Sequence, residues 1–105
     1  MLSMAELGSF ADPAVLILTS LAGGAKHGYA LIKDIEQLAG ATLGPGTLYA
    51  ALGRLERRGL IEALPEEDRR RPYQLTAAGA EALRAYLEQA QRVSTAGLKR
   101  LRAFA

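Results

Sequence analysis

The stretch GPGTLYAALGRLERRGLI, residues 44–61, concentrates groups that recognise rather than react. Wound as a helix at about 100° per residue, it gathers Leu48, Ala51, Leu52 and Leu55 on one side. Ala50, Gly53 and Arg57 fall opposite, with Thr47 and Arg54 on one shoulder and Tyr49 on the other. Two hydroxyls and two guanidiniums donate to phosphate oxygens or to polar ring edges. The small residues between them let a surface come close. The first turn, Pro45-Gly46-Thr47, aims free N–H groups at an anion. This is the chemistry of hydrogen bonding to a polyanion.

Further cations stand outside that stretch. Arg69, Arg70 and Arg71 follow directly on Glu66, Glu67 and Asp68, so that turn is both acidic and basic. At least one of the three arginines is expected to reach a phosphate, and the neighbouring acids argue against all three doing so together. Lys33 on the outer side of its helix is a further candidate, beside Tyr29 with its hydroxyl at the surface. Bond-making chemistry finds no support. There is no cysteine and a single histidine, His27, so neither a thiolate nucleophile nor a zinc site has its ligands. No Ser/His/Asp set or phosphate-cradling glycine loop is present, and no cofactor or metal is expected. The net charge of +2 is too small to point to a partner by itself. Its local concentration matters more, because exposed charges are screened beyond roughly 8–10 Å at physiological salt.

The elements that must position these groups follow from caps and periodicity. Ser3 with Glu6 forms a capping-box pattern for a short N-terminal helix. Asp12-Pro13 starts a second helix through AVLILTSLA, apolar nearly all round and hence central to the core. Residues 27–39 form the next helix, with Leu31, Ile35 and Leu38 as its apolar seam and His27 helping to open it. After the helix that begins at Gly44-Pro45-Gly46, the period changes to two. LIEALP and RPYQLT flank the turn EEDRRR and read as a β-hairpin. Thr76 then caps a long helix from Ala77 to about Arg102. The fold class is mainly α with a small β-hairpin wing (α+β). Three helices and a hairpin make a winged helix-turn-helix, in which the third helix enters a major groove about 12 Å wide and the hairpin lies against the neighbouring backbone.

The sequence also resembles the PadR-type transcriptional regulators. The resemblance rests on His27-Gly28-Tyr29 with Leu31, on Gly46-Thr47-Leu48-Tyr49 with Leu52, and on Arg54-Leu55-Glu56. It continues through Gly59-Leu60-Ile61 into the hairpin and through Tyr73, Leu75-Thr76 and Gly79 out of it, covering about residues 13 to 87. It implies a dimeric DNA-binding protein, most often a repressor, whose C-terminal helix pairs with a partner subunit. Some members respond to phenolic or multidrug-like small molecules, so a small-molecule effector is among the implied partners. Ala50 stands where the family often has proline. Arg57 and Arg58 stand where it is often acidic, which adds phosphate contact.

Residues 1–76 are therefore expected to form the DNA-binding domain and residues 77–105 the dimerisation helix. A helix of about 26 residues reaches roughly 39 Å, further than so small a core. Its seam comprises Leu83, Leu87, Ala90, Leu101 and Phe104, with Ser94 and Gly97 between. A two-fold dimer would set two reading helices about 34 Å apart and select a palindromic operator in double-stranded DNA. The expected DNA contacts are Tyr29, Lys33, Pro45, Gly46, Thr47, Tyr49, Ala50, Arg54 and the arginines at 69–71. A protein-binding winged helix using the same faces is the rival reading. With no signal-like start and no membrane-spanning stretch, the expected location is the cytoplasm.

Overall fold

The computed structural model describes residues 12–40 and 42–104. The helix expected from Ser3 onward lies outside the described residues. Asp12 caps α1 (Pro13–Ala22), its carboxylate accepting from Ala14 N at 2.8 Å. Helix α2 (Gly28–Ala39) is capped by the His27 ring and ends at Gly40 in the left-handed region, φ 66°. Helix α3 (Pro45–Arg57) ends in a Schellman motif: Leu60 N donates to Leu55 O and Gly59 N to Glu56 O, both at 3.0 Å. Gly59, at φ 74°, supplies the left-handed residue that this motif requires. Helix α4 (Ala77–Ala103) is capped by Thr76 Oγ1, which accepts from Gly79 N at 3.0 Å.

Where the sequence predicts a two-stranded hairpin, the structure forms a three-stranded antiparallel sheet. Strands β2 (Ile61–Ala63) and β3 (Pro72–Leu75) pair as expected, and β1 (Lys26–His27) adds to the other side of β3, giving the order β1-β3-β2. Lys26 faces Tyr73 and His27 faces Pro72. The tip of the wing is a tight turn in which Glu67 and Arg70 exchange both backbone hydrogen bonds at 2.8 Å. Asp68 and Arg69 take φ of 48° and 66°. Two consecutive positive φ values define the primed turn that matches strand twist, and glycine favours its second position. Arg69 is strained there by about 1–2 kcal/mol, offset in part by the ~0.5–1 kcal/mol of extra chain entropy that glycine loses on folding. Arg69→Gly is therefore expected to raise unfolding free energy by about 0.5–1 kcal/mol in a urea melt.

The core joins α1 to α3, β2 and the root of α4: Ile17, Leu31, Ile35, Leu48, Leu52 and Ile61 are essentially inaccessible, with Leu18, Leu21, Ala51, Leu55 and Leu83 beside them. Truncating any of the large ones to alanine costs about 2–5 kcal/mol. Leu38 departs from its expected place in the α2 seam, being 51% exposed. It lies in the last turn before Gly40. Leu83, expected in the dimerisation seam, is 6% exposed and packs in the core of this chain.

The root of α4 is fastened to the end of α3. Thr76 Oγ1 donates to Gly59 O at 2.7 Å, and Thr76 N donates to Leu60 O at 3.2 Å. Gly79 lies against that same Leu60 carbonyl. From Leu87 onward α4 leaves the body of the protein, which accounts for a length of 58 Å against 29 and 20 Å in the other directions. Its exposed part carries Leu87, Val93, Leu98, Leu101 and Phe104.

Candidate nucleic-acid interface

Leucines set the orientation of α3. Leu48, Ala51, Leu52 and Leu55 are buried, which turns Pro45, Gly46, Thr47, Tyr49, Ala50 and Arg54 outward. Gly44 offers no side-chain cap. Leu48 N reaches Gly44 O at 2.9 Å, while the preceding Gly46 and Thr47 N–H groups precede the helical ladder and open outward. An exposed, uncapped first turn with a threonine and a tyrosine beside it is suited to an anion.

Tyr49 is held from below. A Cβ on Gly28 would fall on the Tyr49 hydroxyl, 3.0 Å from the Tyr49 Cζ and 3.5 Å from a Leu48 methyl. Gly28 thus lets the phenol lie across the start of α2 while remaining 55% exposed. Tyr73, from β3, completes this region. Partial burial pushes its phenol above the ordinary tyrosine range, Glu56 and Tyr49 add to the rise, and Arg71 opposes it. Tyr73 is therefore a neutral hydrogen-bonding group at physiological pH.

The three wing arginines have different surroundings. Arg71 Nη1 donates to Leu64 O at 2.8 Å and its guanidinium lies 4.0 Å from Glu66, so it braces the wing. Arg70 Nη1 lies 3.3 Å from His27 Nε2, linking the wing to the start of α2. Arg69, at the tip, is exposed without a side-chain partner among the described residues. On α2, Lys33 Nζ stands 5.6 Å from the Tyr29 ring centroid, a cation–π pair in which both groups are exposed. The wing and the start of α2 meet through Arg70 and His27, and the start of α2 meets α3 through Gly28 and Tyr49. Lys33 and Tyr29 continue the exposed surface along α2. Among the described residues no cluster of His, Cys, Asp or Glu could hold a metal ion, and no helix is long and apolar enough to cross a membrane.

A comparison with family models matches residues 17–85 to the transcriptional regulator PadR-like family. The chain belongs to that family. Members of that family are transcriptional regulators. Among curated relatives, it is 51% identical over 72 residues to a 37.1 kDa protein in transposon TN4556 of Streptomyces fradiae, covering 69% of this chain and 21% of that protein. It is 35% identical over 74 residues to the transcriptional activator GvpE2 of Halobacterium salinarum, covering 70% of this chain and 37% of the relative. The chain thus spans well under half the length of these relatives. Among solved structures, a transcriptional regulator from Clostridium thermocellum superposes with a TM-score of 0.72 at 28% identity, over 82% of this chain and 89% of the other.

Several positions in this PadR-like chain act through partners that no local pattern in the sequence indicates. Ser20 is buried, and its hydroxyl donates to Asp34 Oδ2 at 2.5 Å. Lys26 Nζ donates to Ser20 O at 2.5 Å and sits 3.9 Å from the same Asp34 carboxylate. The cluster ties the end of α1 to β1 and α2, which fixes the start of α2 under Tyr49. Only the polar pair Thr19-Ser20 inside a mostly apolar helix hints at it in the sequence. The supporting roles of Gly28 and Tyr73 were equally hidden, although both belong to motifs singled out from the sequence.

Proposed function

We propose that this PadR-like regulator is a homodimer that binds a palindromic operator in double-stranded DNA and represses transcription by occupying a promoter. The observation that carries the reading is the outward face of α3: an uncapped first turn, Thr47, Tyr49, Ala50 and Arg54, all exposed and backed by four buried residues. In this reading α3 enters the major groove. Thr47 and Tyr49 contact phosphate or base edges, and Arg54 reaches a guanine or a phosphate. Arg69 and Arg70 anchor the wing on the backbone, and Lys33 with Tyr29 meets the flanking strand. Residues 77–105 act as the dimerisation helix, and the protein works in the cytoplasm.

The test is selection from a randomised duplex pool, followed by anisotropy titration of the recovered site at several salt concentrations. A palindromic site is expected. Its affinity should fall by about 10³- to 10⁵-fold between 50 and 200 mM salt, as for roughly 6–10 phosphate contacts. Weak, sequence-blind binding with a flat salt response would instead favour a protein partner on the same face. A promoter–reporter assay then reads the sign: repression lowers expression when the regulator is supplied, and a rise would make it an activator.

A further inference from the structure

One imidazole stands between two donors that it cannot serve together. Ala30 N donates to His27 Nδ1 at 3.4 Å, the bond that caps α2. On the other side of the ring, Arg70 Nη1 lies 3.3 Å from His27 Nε2. A guanidinium only donates, so each contact asks the ring for an unprotonated nitrogen. A neutral imidazole has one, and an imidazolium has none. Both separations exceed the ~2.7–3.2 Å of a well-formed bond, consistent with a ring divided between two claims. We propose that His27 is a relay between the wing and α2. Free of DNA, the ring accepts from Arg70; when Arg70 turns to a backbone phosphate, the ring passes to Ala30 N and completes the cap. This rests on the DNA-binding reading given above.

The surroundings equip both arms of the relay. Glu67 and Arg70 exchange backbone hydrogen bonds, so the Arg70 side chain can swing while its backbone stays in place. It swings over an open cleft of about 610 Å³ whose lining includes His27, Leu64, Glu67, Asp68 and Pro72. Glu67 and Asp68 bring carboxylates to that cleft, yet Arg70 forms no ion pair among the described residues. Lys26, the neighbouring cation on β1, is engaged elsewhere, its Nζ donating to Ser20 O and facing Asp34. A charged donor makes the stronger bond, which gives the ring to Arg70 in the free protein. A phosphate, itself charged, draws the guanidinium more strongly than a neutral imidazole does. Exchange with water then moves the ring proton from Nδ1 to Nε2, with no net change of charge. The cap completed in this way adjoins Gly28, against which the Tyr49 phenol lies. Seating the wing thus firms the support of the reading helix, and the two DNA-contacting elements engage together.

His27 is the sole histidine, so a long-range ¹H–¹⁵N spectrum of tag-free protein reads its two ring nitrogens without assignment. The spectrum is taken at about pH 8.5, above the range in which histidines ordinarily change charge. Arg70 is exposed and its turn is held by backbone bonds, so Arg70→Ala keeps the wing. That variant is expected to lower the ratio of Nδ1–H to Nε2–H tautomer about fivefold, the factor that one hydrogen bond of ordinary strength supplies. Saturation with the selected operator should lower the ratio of the unmodified protein by a similar factor and leave that of Arg70→Ala where it was. Equal ratios in the free protein and free Arg70→Ala overturn the proposal, since Arg70 then has no hold on the ring. A ratio unmoved by the operator, or a ring protonated on both nitrogens in the complex, overturns the relay and leaves the DNA-binding reading standing. A protein that binds no duplex in the anisotropy titration overturns both.

Discussion

Gly79→Ala is expected to destabilise the protein by about 3 kcal/mol, the upper end of what overpacking substitutions usually cost. The added methyl would land on the Leu60 carbonyl oxygen, with Leu60 C and Leu75 Cδ1 each at 2.9 Å. The obstacle is backbone, so no rotamer change relieves it. That carbonyl already accepts from Thr76 N, and Leu60 N is engaged in the Schellman motif of α3. Relief therefore requires α4 to pull away from the α3–β2 connection, giving up the Thr76–Gly59 hydrogen bond and part of the packing around Leu83. Better helix propensity returns about 1 kcal/mol, too little to compensate. Guanidinium denaturation at fixed protein concentration reads the result. A loss below about 1 kcal/mol would mean that the root of α4 slides freely.

Arg54→Ala is expected to weaken operator binding about 5- to 150-fold while stability and dimer formation stay unchanged. The range corresponds to the ~1–3 kcal/mol of a good arginine–guanine contact. Arg54 is exposed on the last turn of α3 and has no ion-pair partner among the described residues, so the fold loses nothing when it is cut back. Alanine also keeps the helix. Titration against the selected operator and against operators changed at single positions separates two outcomes. A base contact relaxes specificity at one position. A phosphate contact weakens every sequence alike and lowers the salt slope by about one. Unchanged affinity on all duplexes removes Arg54 from the interface.

Much of the fold is legible locally. Asp12-Pro13, the Gly40 stop, Gly59 and Thr76 are caps whose chemistry acts within a turn, and they bound α1 to α4 to within about two residues of expectation. The leucines of α3 orient it by spacing alone. What the local reading misses is made by distant partners. Strand β1 is two residues long and exists only because Pro72 and Tyr73 pair with it. The Ser20–Asp34–Lys26 cluster and the seat of Tyr49 on Gly28 join residues far apart in the chain. Leu38 and Leu83 show the same limit from the other side. Their spacing names an apolar face, but only the assembled body decides whether that face meets α1, solvent or a partner.

The hydrogen bonds between Thr76 and the Gly59–Leu60 turn also set a scale for operator geometry. Helix α4 has 27 residues, about 40 Å at 1.5 Å per residue. A tilt of about 5° at its root moves its far end by roughly 3.5 Å, close to the ~3.4 Å step of one base pair. In the proposed dimer joined through α4, the angle at that root would govern which half-site spacing two α3 helices could span together. Packing around a single buried glycine then becomes part of the arithmetic of DNA length.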